Sequence, residues 1–154
     1  MKLSGYVSQY TPAGVTSGEG NYWLSGTTST RGLVQEVSWG GYASSSTPME
    51  TAIRRCSTNG STPPSAGNVT RLDQTVTSAG NSIVFYPGPK SGWTTAPTQV
   101  SGALFGAAWN AYGGVVRWLA APGEEFDLAF QATIACVPIA GLGTSSYACV
   151  WSEL

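Results

Sequence analysis

From residue 33 onward, apolar and polar positions follow the two-residue period of β-strands, interrupted at short intervals by turn residues. Leu33 to Trp39 alternates and predicts a strand with Leu33, Val37 and Trp39 on one face. Gly40 to Pro48 is a Ser/Gly loop. Thr51, Ile53, Arg55 and Ser57 then alternate with Ala52, Arg54, Cys56 and Thr58, a strand that ends at Asn59-Gly60. Beyond the Pro63-Pro64 to Gly67 loop, Asn68 to Val76 and Ser82 to Tyr86 read as strands, and Pro87-Gly88-Pro89 stops the second. Ala103 to Trp109 and Val115 to Ala120 flank Asn110-Ala111-Tyr112-Gly113-Gly114, which predicts a hairpin. Phe126 to Val137 and Ser145 to Leu154 are the last strands, joined through Pro138 to Thr144. No helical periodicity and no internal repeat interrupts this pattern. Short strands punctuated by Gly and Pro predict an all-β fold, a single jelly-roll-like β-sandwich over residues 33–154.

Residues 1–32 have a different texture. They hold Tyr6, Tyr10, Tyr22 and Trp23 among Gly, Ser and Thr, with almost no aliphatic run. The segment reads as an extended N-terminal arm whose aromatic side chains fill recesses on another subunit. The competing reading is a loop and edge strand packed on its own domain. An arm predicts that removing residues 1–23 leaves the sandwich folded.

Composition sharpens the picture. The 154 residues suffice for one domain with one core. Charged residues are only 10% of the chain, against about 25% in an ordinary domain, so the surface is coated mainly with Ser, Thr, Gly and aromatic groups. Such a surface is cheap to desolvate and suits burial against other proteins. A free extracellular β-domain would share this composition. The net charge of −1 and the absence of a basic cluster beyond Arg54-Arg55 predict no nucleic-acid partner. A strand would place those two arginines on opposite faces. Val100 to Ala121 is apolar, but Asn110, Arg117 and several Gly and Ser residues interrupt it, so no membrane span is expected. The first residues lack a signal-peptide core, and synthesis in a cytoplasm is expected.

The chemistry is sparse. With no histidine, Ser-His-Asp and Cys-His pairs and most zinc sites are excluded. No catalytic residue, metal site or cofactor is expected. Glu124, Glu125 and Asp127 form the one carboxylate cluster, a solvated turn in its simplest reading; with Asp73 they are the only basis for a hydrolase. Cys56, Cys136 and Cys149 are odd in number and lack metal-ligand spacing, which predicts buried free thiols; a Cys136–Cys149 bridge is the alternative. Of the six tryptophans, Trp39, Trp109 and Trp151 lie in alternating segments and are expected in the core. Trp93, in the Pro87 to Pro97 loop, is expected to be exposed.

Several short motifs occur in order: Glu50-Thr51-Ala52-Ile53-Arg54-Arg55-Cys56-Ser57-Thr58-Asn59-Gly60-Ser61-Thr62-Pro63, then Asn68-Val69-Thr70-Arg71-Leu72-Asp73, then Arg117-Trp118-Leu119-Ala120-Ala121-Pro122-Gly123-Glu124-Glu125, and finally Ala148-Cys149-Val150-Trp151-Ser152-Glu153. In this arrangement residues 33–154 resemble the capsid cement or decoration proteins of tailed phages, of the kind found on cyanophages. The resemblance implies a jelly-roll-like sandwich that forms homotrimers. It also implies placement on the capsid exterior of a virion, where the trimers staple neighbouring major capsid protein subunits. Tyr6, Tyr10, Tyr22, Trp23 and Trp93 are then the expected subunit or capsid contacts. The second reading is a carbohydrate-binding, lectin-like β-sandwich domain of a virion, with exposed Trp and Tyr stacked on sugar rings.

Overall fold

The computed structural model describes residues 4–10, 22–27, 30–72, 83–129, 131–141 and 143–153. They form two antiparallel sheets packed face to face, a jelly-roll-like β-sandwich. The strands are β1 (Ser4–Tyr10), β2 (Tyr22–Ser25), β3 (Gly32–Gly41), β4 (Pro48–Cys56), β5 (Thr70–Arg71), β6 (Val84–Pro87), β7 (Gln99–Asn110), β8 (Val115–Leu119), β9 (Phe126–Leu128), β10 (Thr133–Ala140) and β11 (Ser145–Glu153). One sheet runs β5-β1-β11-β3-β8, with β9 also on β3; the other runs β6-β2-β10-β4-β7. None of these strands is bonded to its neighbour in the chain. Every pairing therefore closes a long loop, which is costly in chain entropy and slow to nucleate.

The core lies between the sheets. Tyr22, Leu24, Phe85, Ile53, Ile134 and Cys136 from one layer meet Tyr6, Val34, Val37, Trp39, Tyr147, Cys149 and Trp151 from the other. Tyr22 spans the layers, with its ring 4.5 Å from Phe85 and 6.4 Å from Tyr147. Trp39 meets Phe105 at 5.8 Å. The aromatic rings fill the interior that aliphatic side chains fill in most domains, which is how so Ser- and Gly-rich a chain sustains a core.

The described residues among the first 32 are built into the sandwich and do not form a separate arm. Strand β1 pairs along its whole length with β11, from Ser4 opposite Glu153 to Tyr10 opposite Tyr147. Strand β2 lies between β6 and β10. Tyr6, Tyr22 and Trp23 are buried. The sandwich thus begins by residue 4, and the boundary at residue 33 is corrected. The physical reason is that three adjacent apolar residues, Tyr22-Trp23-Leu24, suffice when both faces of a strand are covered. The inner face takes Tyr22 and Leu24, and the outer face takes Trp23.

Three further expectations change. On β3 the inward residues are Val34, Val37 and Trp39, while Leu33 is only half-buried. The ladder with β11 shifts between Val150 and Trp151, and this bulge moves Leu33 off the face it would share with Val37 in an unbroken strand. Phe126 to Val137 is not one strand: β9 joins the β3 sheet and β10 the other. The Asn110–Gly114 segment is not a hairpin turn either. It carries the chain from β7 in one sheet to β8 in the other, and its strands pair with β4 and β3 instead. Ala111 is buried in this arch and bonds to Thr47 and Ala43. Gly41 is required beneath it, because a Cβ there would lie 2.1 Å from the Ala111 carbonyl oxygen.

Candidate functional site

The aromatic residues expected to contact other subunits are mostly committed to this chain. Tyr6 stacks on Trp151 with ring centroids 5.8 Å apart, and Arg71 lies 5.5 Å over the Tyr6 ring. Tyr22 is in the central core. Trp23 faces outward from its sheet but is sealed there, its indole N–H donating to the Gly88 carbonyl at 3.0 Å. Trp93 is only 7% exposed, so its expected exposure is corrected. It sits edge-on to Trp23 at 5.6 Å and to Tyr86 at 5.2 Å, over Ala135 and Val137. Burial of two indoles against each other outweighs the turn chemistry of the Pro87 to Pro97 loop. The loop is thereby pinned as a strap across the outer face of the β6-β2-β10-β4-β7 sheet. The backbone of Tyr10 pairs with Tyr147, while its side chain lies outside the described residues.

The carboxylates do not converge. Glu124 is exposed, Asp127 pairs with Arg31, and Asp73 lies outside the described residues. No group of three His, Cys, Asp or Glu side chains gathers among the described residues. Glu36 holds Arg117 through two hydrogen bonds of 2.7 and 2.8 Å. The hydrogen bond from Arg117 keeps the Glu36 carboxyl below its ordinary range, against a smaller desolvation effect. No helix of the described residues is long and apolar enough to cross a membrane.

All three cysteines are free. Burial pushes the thiols of Cys56 and Cys136 up to about 12, and raises Cys149 well above the usual value. The nucleophilic thiolate is therefore scarce at neutral pH. Thiol titration of the unfolded chain should find three sulfhydryls, and the native protein should leave Cys136 and Cys149 unmodified over the same interval. A count of one after unfolding without reductant would establish a bridge and contradict the fold.

Two surface features stand out. The first is an edge of the sandwich where, among the described residues, β7 ends one sheet and β8 the other. Strand β7 has twelve residues and not one charge. Around the arch that links the two strands, Tyr42 is 75%, Tyr112 62% and Val115 76% exposed, and Leu119 follows along β8 at 61%. Arg117, between Val115 and Leu119 on the same face, is neutralised by Glu36. Natural edge strands are normally guarded by charge or Pro, and this one is guarded only by register shifts opposite Ile53 to Cys56.

The second feature is the strap and the two cavities beside it. One, of about 250 Å³, is lined by Asn59, Ser61, Thr62, Tyr86 and Trp93. The other, of about 380 Å³, is lined by Arg54, Lys90, Pro97, Thr98 and Ser101. Periodicity placed Arg54 and Arg55 on opposite faces of β4. Arg55 donates to the Asp127 carbonyl, whereas Arg54 lines the cavity. No protein-family model matches the chain, and no curated protein matches it significantly.

Proposed function

We propose that the protein is a non-catalytic building block of a virion, a capsid decoration protein. Its copies associate as homotrimers through the β7–β8 edge and staple neighbouring major capsid protein subunits on the shell exterior. The observation that carries the assembly reading is the charge-free edge strand with Tyr42, Tyr112, Val115 and Leu119 exposed around it. Covering that edge removes apolar surface from water at about 25 cal/mol per Å² and desolvates no unpaired charge. The virion setting rests on the ordered motifs of residues 33–154 and on the low overall charge. In a ring of three, each copy's edge meets a different surface of the next, and the ring closes. One trimer then engages several shell subunits at once, so modest individual contacts add through effective concentration.

Light scattering of the purified chain at micromolar concentration should give three times its 15.9 kDa mass. The double substitution Val115→Glu and Leu119→Glu should weaken association at least tenfold while leaving circular dichroism unchanged, because both side chains are exposed. Added to undecorated phage shells, the unsubstituted protein should co-sediment with them. A clean monomer would remove the trimer, and failure to co-sediment would remove the capsid role.

A further inference from the structure

The chain has seven Lys and Arg residues, and two of them, Arg54 and Lys90, line the same cavity although 36 positions separate them. Arg54 rises from the outward face of β4, and Lys90 opens the short 3-10 turn Lys90–Gly92 in the strap. No carboxylate lines the cavity, and no ion pair joins either cation to an acid among the described residues. The Nε of Arg54 is buried without a hydrogen-bond partner among the described residues.

The walls are held in place before any ligand arrives. Trp93 anchors the strap on Trp23 and Tyr86. Ser61 and Thr95 exchange backbone hydrogen bonds of 2.8 and 3.3 Å. Ser57 donates to the Thr98 carbonyl at 2.8 Å, and the Thr98 amide donates to Thr58 Oγ1 at 2.9 Å. At the floor, the six steps from Gln99 to Phe105 on β7 face only three from Ile53 to Cys56 on β4. Bulges of this kind re-aim side chains, and here Gln99 and Ser101 border the cavity. A preformed site of this sort spends little of its binding energy on ordering.

The lining selects the ligand. A guanidinium with an ammonium lining the same cavity recognises an oxyanion, a carboxylate, phosphate or sulfate group. Thr98 and Ser101 offer hydroxyls, and Ala96 with Pro97 forms an apolar strip suited to the C–H face of a sugar ring. The volume of about 380 Å³ lies in the range of small-molecule sites and exceeds what a bare inorganic anion fills. We propose that this cavity binds an acidic hexose unit of a glycan, with its anionic group on Arg54 and Lys90 and its hydroxyls on Thr98 and Ser101. The site needs no exposed tryptophan, and its ligand chemistry does not rest on the capsid role.

The test is calorimetric titration of the full chain with glucuronic acid, glucose 6-sulfate, glucose and sodium sulfate at matched ionic strength. Both acidic hexoses should bind at least tenfold more tightly than glucose, and glucose 6-sulfate at least tenfold more tightly than sodium sulfate. Arg54→Gln and Lys90→Gln should each weaken glucuronic acid by about tenfold, the loss of one charge-assisted contact. Lys90 is exposed on the strap, so its variant keeps the fold and remains decisive if Arg54→Gln destabilises the sheet. Four results would each overturn the proposal: no binding of either acidic hexose, equal affinity for glucose, equal affinity for sodium sulfate, or an unchanged affinity in Lys90→Gln.

Discussion

Deletion of residues 1–23 is expected to abolish cooperative folding. The deletion removes β1, whose seven residues pair with the central strand β11. It also removes the first two of the four residues of β2, which separates β6 from β10. With them go Tyr6, Tyr22 and Trp23, all buried. Truncating one large buried aromatic side chain costs about 3–5 kcal/mol. A domain of this size has only about 5–15 kcal/mol of stability in all. Losing three such side chains, together with the backbone bonds of an entire strand, exceeds that margin. Phe85 loses its partner Tyr22, Trp151 loses its partner Tyr6, and both apolar faces open to water. The truncated chain should show no sigmoidal thermal transition and no near-ultraviolet dichroism. A β-like spectrum with a sharp melt would instead restore the arm reading and make the N-terminal pairing dispensable.

Trp151→Ala should be the most damaging kind of single substitution in the molecule, at about 3–5 kcal/mol. Trp151 is fully buried on β11, stacked at 18° on Tyr6, and its strand neighbours Ser152 and Cys149 are buried too. A rigid sandwich interior cannot collapse around a missing indole, so the lost contacts are compounded by a cavity. With a urea dependence of about 2 kcal/mol per molar, the unfolding midpoint should fall by roughly 2 M. Trp118→Ala provides the contrast. That side chain is half-buried at the β8 edge and stacks on Phe126 at 3.8 Å, so part of its surface is already in water. Its cost should be clearly smaller. Equal midpoints for Trp151→Ala and the unsubstituted protein would show that the central stacking contributes nothing to stability.

The candidate site was legible only in fragments. Arg54 was visible as one face of an alternating strand, and Lys90 as a residue of a Pro/Gly loop. Nothing local joins them. Their approach depends on Trp93 turning inward onto Trp23, and on β7 bulging where it passes Arg54. The exposed quartet of the open edge was hidden for a related reason. Val115 and Leu119 belong to an apolar strand, and such a strand looks the same in sequence whether its outer face is covered or open.

Alternation along the chain determined that this protein is built of strands, with no helical layer among the described residues, and it located most of the extended segments from residue 33 onward, although of Asn68 to Val76 only Thr70–Arg71 is strand among the described residues and Phe126 to Val137 is split in two. Those properties follow from local sterics and from the two-residue period of a pleated backbone, so they are written in neighbouring residues. Which strand lies beside which was decided only in the tertiary structure. Among the described residues no strand pairs with its neighbour in the chain, and partners as distant as Ser4 and Glu153 lie directly opposite each other. Register followed the same rule: the bulge opposite Val150 and Trp151 shifts the inward residue from Leu33 to Val34. Strand β2 shows the limit most clearly. Its three apolar residues are too few for any periodic signal, and only the opposite sheet on one face and the Trp93 strap on the other make Tyr22-Trp23-Leu24 a core strand. Burial is a property of the surroundings, and in this fold the surroundings come from the other end of the chain.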